Sequence, residues 1–584
     1  MRSFLLAAVC SVLCGLGETA QAQRPPAHAL LPRSTVAYFS IANAPDLRDR
    51  LFRTTMGRMS QDPQLKPLVD DLYGSAVVAL AAVQDRLGVS ITELLNLPQG
   101  ELTLAVVAPE ESRPAVVVLI DAGERIPVLR QLIDRQSERL VEQGAERSEE
   151  TIDQVKFVTF EFSGGERRLI FFEKDGTLAA GTDRDVLKQV LAAWNGAKTE
   201  SLATNLAFSA VARRAGEVAG EPAQVAWFVD PIGFVRSTSD DSGNSRLGLA
   251  LIPTLGLDGV LGAGGSVQMA GEQYDMVIDM HLFLDTPRTG IPGLLAFGSG
   301  DTTPESWVPA EAGSYTTFYW EAETTYHGIA KLYDGFQGNG ALAELVGGRI
   351  FNLTGLDFED EVLEQLDGRF TLATWYERPV SLTSQVTLAG VKLKDGEKFK
   401  RSIDKMVDHF DGKLEQRSYA GKTYYVYQGQ IGRPPREGQE QFRPQPSICL
   451  FDNYLLLGDR PSAIEKAIVT AEEPEKSLAN DLEYKLIAST IRRQTTAVQP
   501  AFVEFNRPEE QMRYLYELAL SDSTRQRLEE RGERNPFLGR VGQALKDNPL
   551  PPFEVLQQYF APGGAMLIDD ESGLHYTSFT LQRK

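Results

Sequence analysis

The chain has 584 residues, 42% of them hydrophobic and 24% charged, and its 80 acidic and 59 basic side chains leave a net charge of −21. That length is enough for two or more ordinary domains with buried cores. So acidic a balance disfavours nucleic acid and anionic lipid surfaces as partners, since both reward clustered Lys and Arg.

The N-terminus reads Met1, Arg2, Ser3, then an apolar run over 4–16, then Ala20, Gln21, Ala22. A charged start, a short apolar segment and an A-x-A site predict a secretory signal over 1–22, with export to the periplasm, the cell envelope or the outside. The run is shorter than the roughly 20 residues a spanning helix needs. Its removal takes Cys10 and Cys14 and leaves Cys449, so no internal disulfide can form and the fold must rest on core burial. Cys449 itself is expected as a buried thiol in a strand over 447–451. The longest later apolar stretch, 247–257, is bounded by Arg246 and Asp258 and contains Pro253, so the mature chain is expected to have no transmembrane helix.

From there a strand over 35–41 leads into a long helical region over 46–87, with Leu51, Met56, Met59, Leu65, Leu68, Val69 and Leu72 at helical spacing and a break near Pro63. A short helix over 91–97 precedes two strands, 102–107 and 115–120, and a helix follows with Val128, Leu129, Leu132, Ile133 and Leu140 on one side. Strands over 155–162, 168–173 and 177–180 come next, joined at Ser163–Glu166 and at Lys174, Asp175 and Gly176 by glycine-containing turns. Helices begin near Asp183 and Asn205. Strands over 225–229, 265–269 and 276–284 complete this half. In the last, Met276, Ile278, Met280, Leu282 and Leu284 alternate with Asp275, Asp279, His281 and Asp285, which predicts a strand with its apolar face covered by helices.

The second half repeats the first. SLATNLAF at 201–208 recurs as SLANDLEY at 477–484, and the strand-glycine-helix stretch from Gly176 recurs from Asn453, at offsets of 276 and 277 residues. LLPRSTVAYFS (30–40) parallels WVPAEAGSYTTFYW (307–320), GELTLAVV from Gly100 parallels GRFTLATW from Gly368, and the closing GGSVQM from Gly264 parallels GGAMLI from Gly563. The expected organisation is a signal peptide (1–22), an α+β copy one (23–286), a linker (287–309) and an α+β copy two (310–584). Each copy is expected to be a largely antiparallel sheet with helices packed on one face. Copy two carries two insertions: a polar, proline-rich loop over 429–446 and a helical, mixed-charge segment over 508–550.

Chemistry is sparse. The five histidines form no HExxH and no zinc spacing. Asp279 and His281, two apart on one strand face, are the best metal candidate and supply too few ligands. Ser402 to Lys405 fits SxxK without the companion SDN and KTG elements, and it falls inside a predicted helix. The glycine cluster over 259–266 lacks the Lys of a phosphate loop and precedes a strand. The expected catalytic, cofactor-binding and metal residues are therefore none, and the cofactor is none.

The signal peptide, LLPRSTVAYFSIANAPDLRDRL, LPQGELTLAVV, SLATNLAF and LGLDGVLGAGGSV together resemble a family of exported bacterial proteins of unknown function. The resemblance covers most of copy one and, less tightly, copy two, and it implies neither a catalytic residue nor a ligand. The expected function is noncatalytic binding or structural association in the cell envelope, with a protein or another envelope component as partner. An envelope hydrolase with scattered acids and a carrier of an apolar ligand are the alternatives. A cleft of converging carboxylates would favour the hydrolase, and a large enclosed apolar cavity the carrier.

Overall fold

A computed structural model describes residues 24–71, 96–109, 113–162, 167–216, 221–239, 242–429, 444–495, 498–532 and 535–583. The signal segment, the helical predictions over 72–95, the turn at 163–166 and most of the 429–446 loop fall outside the described residues. The chain divides into two compact units: Met1–Ser40 with Leu94–Leu206, and Ile41–Glu93 with Ala207–Lys584. Both are α+β.

In the first unit the described strands are β1 (Thr35–Ile41), β2 (Leu102–Val107), β3 (Ala115–Asp121), β4 (Glu146–Ile152), β5 (Val155–Glu161), β6 (Arg168–Lys174) and β7 (Thr177–Gly181). They are hydrogen-bonded in the order β4-β5-β6-β7-β3-β2-β1. The helix Arg184–Trp194 is started by Asp183, whose side chain accepts from the Asp185 and Val186 amides, and it buries Val186, Leu187, Val190, Leu191 and Trp194. Beneath it lie Phe157 and Phe172, ring centroids 4.8 Å apart. A second helix, Ile126–Glu142, packs Leu129, Leu132 and Ile133 against Ile120, Phe171 and Leu178. In register Ile120 opposes Leu178 and Phe172 opposes Ala179, so these two sets lie on opposite faces. Helices therefore cover both faces here, not one as expected, because these strands are apolar on both sides.

The second unit adds β8 (Val225–Val229), β9 (Val260–Met269), β10 (Tyr274–Leu284), β11 (Ser314–Tyr319), β12 (Leu366–Tyr376), β13 (Gln385–Leu393) and β14 (Leu414–Tyr419). It continues with β15 (Lys422–Tyr427), β16 (Ser447–Phe451), β17 (Tyr454–Gly458), β18 (Phe502–Asn506), β19 (Gly563–Asp570) and β20 (Gly573–Leu581). Their order is β14-β15-β16-β17-β13-β12-β11-β18-β19-β20-β10-β9-β8, with antiparallel pairing. The run from β14 to β11 has the same order, strand for strand, as β4 to β1 in the first unit. Pro32 bridges Ser201 in one unit and Pro309 bridges Ser477 in the other. One core is built by the helices Pro461–Glu472 and Leu482–Gln494, whose Ile464, Ile468, Ile487 and Ile491 meet Tyr315, Trp375, Leu388, Leu456 and Phe505. The helix Gly396–His409 packs Phe399, Ile403 and Met406 on the other side, against Leu450 and Leu455.

Three expectations need correction. The long helical region is broken twice within its described part: Thr54, whose hydroxyl caps the second helix, divides Ala44–Arg53 from Thr55–Gln61, and after the expected break around Pro63 residues 66–71 are helical again. From Val260 on, the glycine cluster lies inside β9: a Cβ on Gly264 would stand 2.5 Å from the Trp227 carbonyl and 2.6 Å from Val211, so the bare backbone lets the helix Leu206–Arg214 rest on the sheet. Gly564 does the same beneath Ile487, at 2.5 Å. Lastly, β10 is inverted. Asp275, Asp279 and His281 are the buried side and Met280 is 38% exposed. A bulge between Phe283 and Leu284 then returns Leu284 to the core. No helix among the described residues is long and apolar enough to cross a membrane.

Candidate functional site

Because side chains alternate across a strand and neighbours stand in register, the outward residues of β10 continue across the second unit's sheet. Met280 opposes Tyr576, which opposes Leu567, then Phe502, Phe318, Phe370, Val391, Leu455 and Leu450. In the other direction Met280 opposes Gly265, and Gly265 opposes Trp227. Apart from Gly265, this is one apolar or aromatic side chain per strand from β8 to β16. Phe318 and Phe370 stack at 5.3 Å, and Phe502 meets Tyr576 at 6.4 Å. The helix Gly396–His409 covers the Leu450 and Leu455 end, whereas Met280 is exposed and Tyr576, Leu567, Phe502, Phe318 and Phe370 are half-buried. Ser578, Glu504 and Thr316 flank the row and are followed by Leu372, 41% exposed. An apolar strip with a polar flank is the composition of an interaction surface.

The opposite face of the same β10–β20 pairing is polar and buried. Thr577 donates to Asp279 at 2.7 Å, and His575 Nε2 stands 3.3 Å from the same hydroxyl. His281 opposes His575, and the Arg214–Asp570 ion pair lies nearby. Burial, with His575 and Arg214 close, lowers the His281 pKa to about 4. Asp279 and His281 thus share a face as read from the sequence, but Asp279 is engaged by Thr577. Among the described residues no group of three or more His, Cys, Asp or Glu side chains could hold a metal ion.

A second buried polar centre joins Glu305 to Arg369 at 3.0 Å, with side chains 6% and 7% exposed. Thr371 donates to Glu305 at 2.7 Å, and Arg369 donates to the Thr317 hydroxyl, the Tyr315 hydroxyl and the Thr303 carbonyl. Burial pushes the Glu305 carboxyl up and Arg369 pulls it back. Thr317 and Thr371 stand 3.0 Å apart. In the first unit Ser40 and Thr103 also stand 3.0 Å apart, beside an Arg24–Glu101 ion pair in which Glu101, the residue before β2, is the acid. Gly100 and Gly368 directly precede Glu101 and Arg369, so the same position after a glycine carries an acid in one unit and a base in the other. Single-strand patterns gave no sign of either pair, because each partner comes from a distant segment.

The second unit also holds a cleft of about 540 Å³ lined by Tyr376, Arg378, Glu483, Arg507, Glu510 and Phe560, among others. Its acids are occupied: Glu483 binds Arg507 at 2.6 Å, Glu509 binds Arg513 at 3.3 Å, Glu510 stands 3.7 Å from Arg378, and Glu311 pairs with Lys466. Arg507 also donates to the Ala310 and Ala312 carbonyls, which marks it as an anchor of the chain. Ser402 is buried within its helix and Lys405 pairs with Glu361. Cys449 is a buried thiol whose pKa burial raises to about 11.

Residues 342–529 carry a domain described as a protein of unknown function, DUF3352. The matched stretch runs from the helix Ala341–Thr354 through β12 to β18 and on through the helix Pro508–Leu520 into Asp522–Gly532, and includes Arg369, Phe370, Val391, Leu455 and Phe502. Neither the curated proteins nor the solved structures contain a match to this chain.

Proposed function

We propose that this chain is an exported protein of the periplasm or cell envelope that acts by noncatalytic association, presenting the row from Met280 to Phe370 to an apolar face of an envelope protein. The observation that carries the reading is that row. The chain's own helices cover this apolar strip only in part, on a sheet whose other face buries Asp279, His281 and His575, and desolvating the remainder on a partner is favourable. The charged start, apolar run and A-x-A site of 1–22 support export. The matching strand orders, the paired Pro–Ser bridges and the charge-swapped ion pairs support a duplicated scaffold. The hydrolase alternative loses ground because each acid lining the cleft already has a cation.

The test is size-exclusion chromatography of envelope extracts from cells making the full chain or its Met280→Glu/Phe318→Glu variant. The native chain should elute in a complex and the variant as a smaller, folded species. A native chain that elutes alone from undiluted extract contradicts the proposal.

A further inference from the structure

The segment 508–550 interrupts the repeat and folds as three helices, Pro508–Leu520, Asp522–Gly532 and Pro536–Asp547. The last two cross at glycines, where a Cβ on Gly532 would stand 2.8 Å from Gly539 and one on Gly542 3.4 Å from Leu528. Beside that crossing is a groove of about 300 Å³, walled by Leu520, Leu528, Leu545, Pro549 and Leu550, with Arg525 and Lys546 among its lining. Both cations are exposed, and among the described residues neither side chain has an ion-pair or hydrogen-bond partner.

We infer that this groove binds a single-chain fatty carboxylate, the alkyl chain among the leucines and the carboxylate against Arg525 and Lys546. Three features select that occupant. The leucine walls reward an alkyl chain and provide no hydrogen-bonding side chain to orient a polar body. The volume is at the lower end for small-molecule sites, which suits one chain and not a two-chain lipid. The two cations, without an ion-pair partner among the described residues, complement an anion, and a guanidinium presents a carboxylate with two parallel N–H donors. The groove lies within the inserted helices, apart from the row of strand residues, so either assignment can fail alone.

The experiment is isothermal titration of the mature full-length chain with decanoate, decanol and decyltrimethylammonium, each below its micelle concentration, repeated on Arg525→Glu/Lys546→Glu. These exposed positions can be reversed without disturbing a core. The native chain should bind decanoate at least about tenfold more tightly than either comparator, and the variant should lose that preference while binding decanol unchanged. Equal binding of decanoate and decyltrimethylammonium, decanoate affinity unaltered by the charge reversal, or no decanoate binding at all would overturn the inference.

Discussion

His281 and His575 stand directly opposite each other in the β10–β20 pair, their ring centroids 5.9 Å apart, and both are buried. Neither ring nitrogen of His281 reaches a side-chain hydrogen-bond partner among the described residues. The groups around it are His575 on β20, Asp279 on its own strand, Arg214 from the helix below and Asp570 at the end of β19. Its pKa falls from the ordinary 6.5 to about 4. Between those values the unfolded chain holds a proton that the folded chain excludes. The stability His281 contributes is therefore complete above its ordinary pKa and is lost as pH falls through this window. The full shift corresponds to a loss on the order of 3 kcal/mol. Urea denaturation near neutral pH and near pH 4.5 should show His281→Leu losing less stability on acidification than the native chain. Equal losses would remove His281 from the explanation.

The Glu305–Arg369 pair predicts an asymmetry between single and double replacement. Arg369→Met leaves a buried carboxylate uncompensated and should cost about 3–5 kcal/mol, whereas Glu305→Gln with Arg369→Met should recover much of that loss. Denaturation midpoints of the three proteins decide it; a double variant as unstable as the single one would contradict the pairing.

Gly264→Val should destabilise by about 1–3 kcal/mol, since its Cβ would collide with the Trp227 carbonyl and Val211. The contrast is Gly248, which sits in the helix Gly243–Thr254 with nothing within 4 Å of an added Cβ. Gly248→Ala should stabilise by about 0.5–1 kcal/mol. Thermal unfolding of both variants checks the pair, and the same sign for both would show that the close approach at β9 is not what constrains Gly264.

Cys449 is buried in β16, and its thiol is raised to about 11. Alkylation near pH 8 should be slow in the folded chain and rapid in denaturant, because the thiolate is the reactive form. Fast labelling of the native protein would contradict the buried position.

Two-residue alternation made most strands legible, and recurring segments anticipated the matching order of β1–β7 and β11–β17. The sequence hid β4, whose Glu146, Arg147, Glu149 and Glu150 offer no apolar period; the strand is held by pairing with β5 at the exposed edge. In β10 the alternation was readable but its direction was not. The buried side is settled by which face the helix Leu206–Arg214 approaches across Gly264, and a lone strand pattern cannot encode that. The row from Trp227 to Leu450 was invisible for a related reason: its members meet only through the register of strands far apart in the chain. Fatty-carboxylate binding likewise depends on Arg525 and Lys546 meeting at one groove from separate helices.

The most direct measurement places a photo-crosslinking amino acid at Phe318, in the half-buried part of the row, and at Thr423, an exposed residue of β15, in cells producing the full chain. The expected result is a discrete adduct with one envelope protein from position 318, absent from position 423 and abolished by Met280→Glu. No adduct from position 318, or the same adduct from both positions, would contradict a binding role for this face.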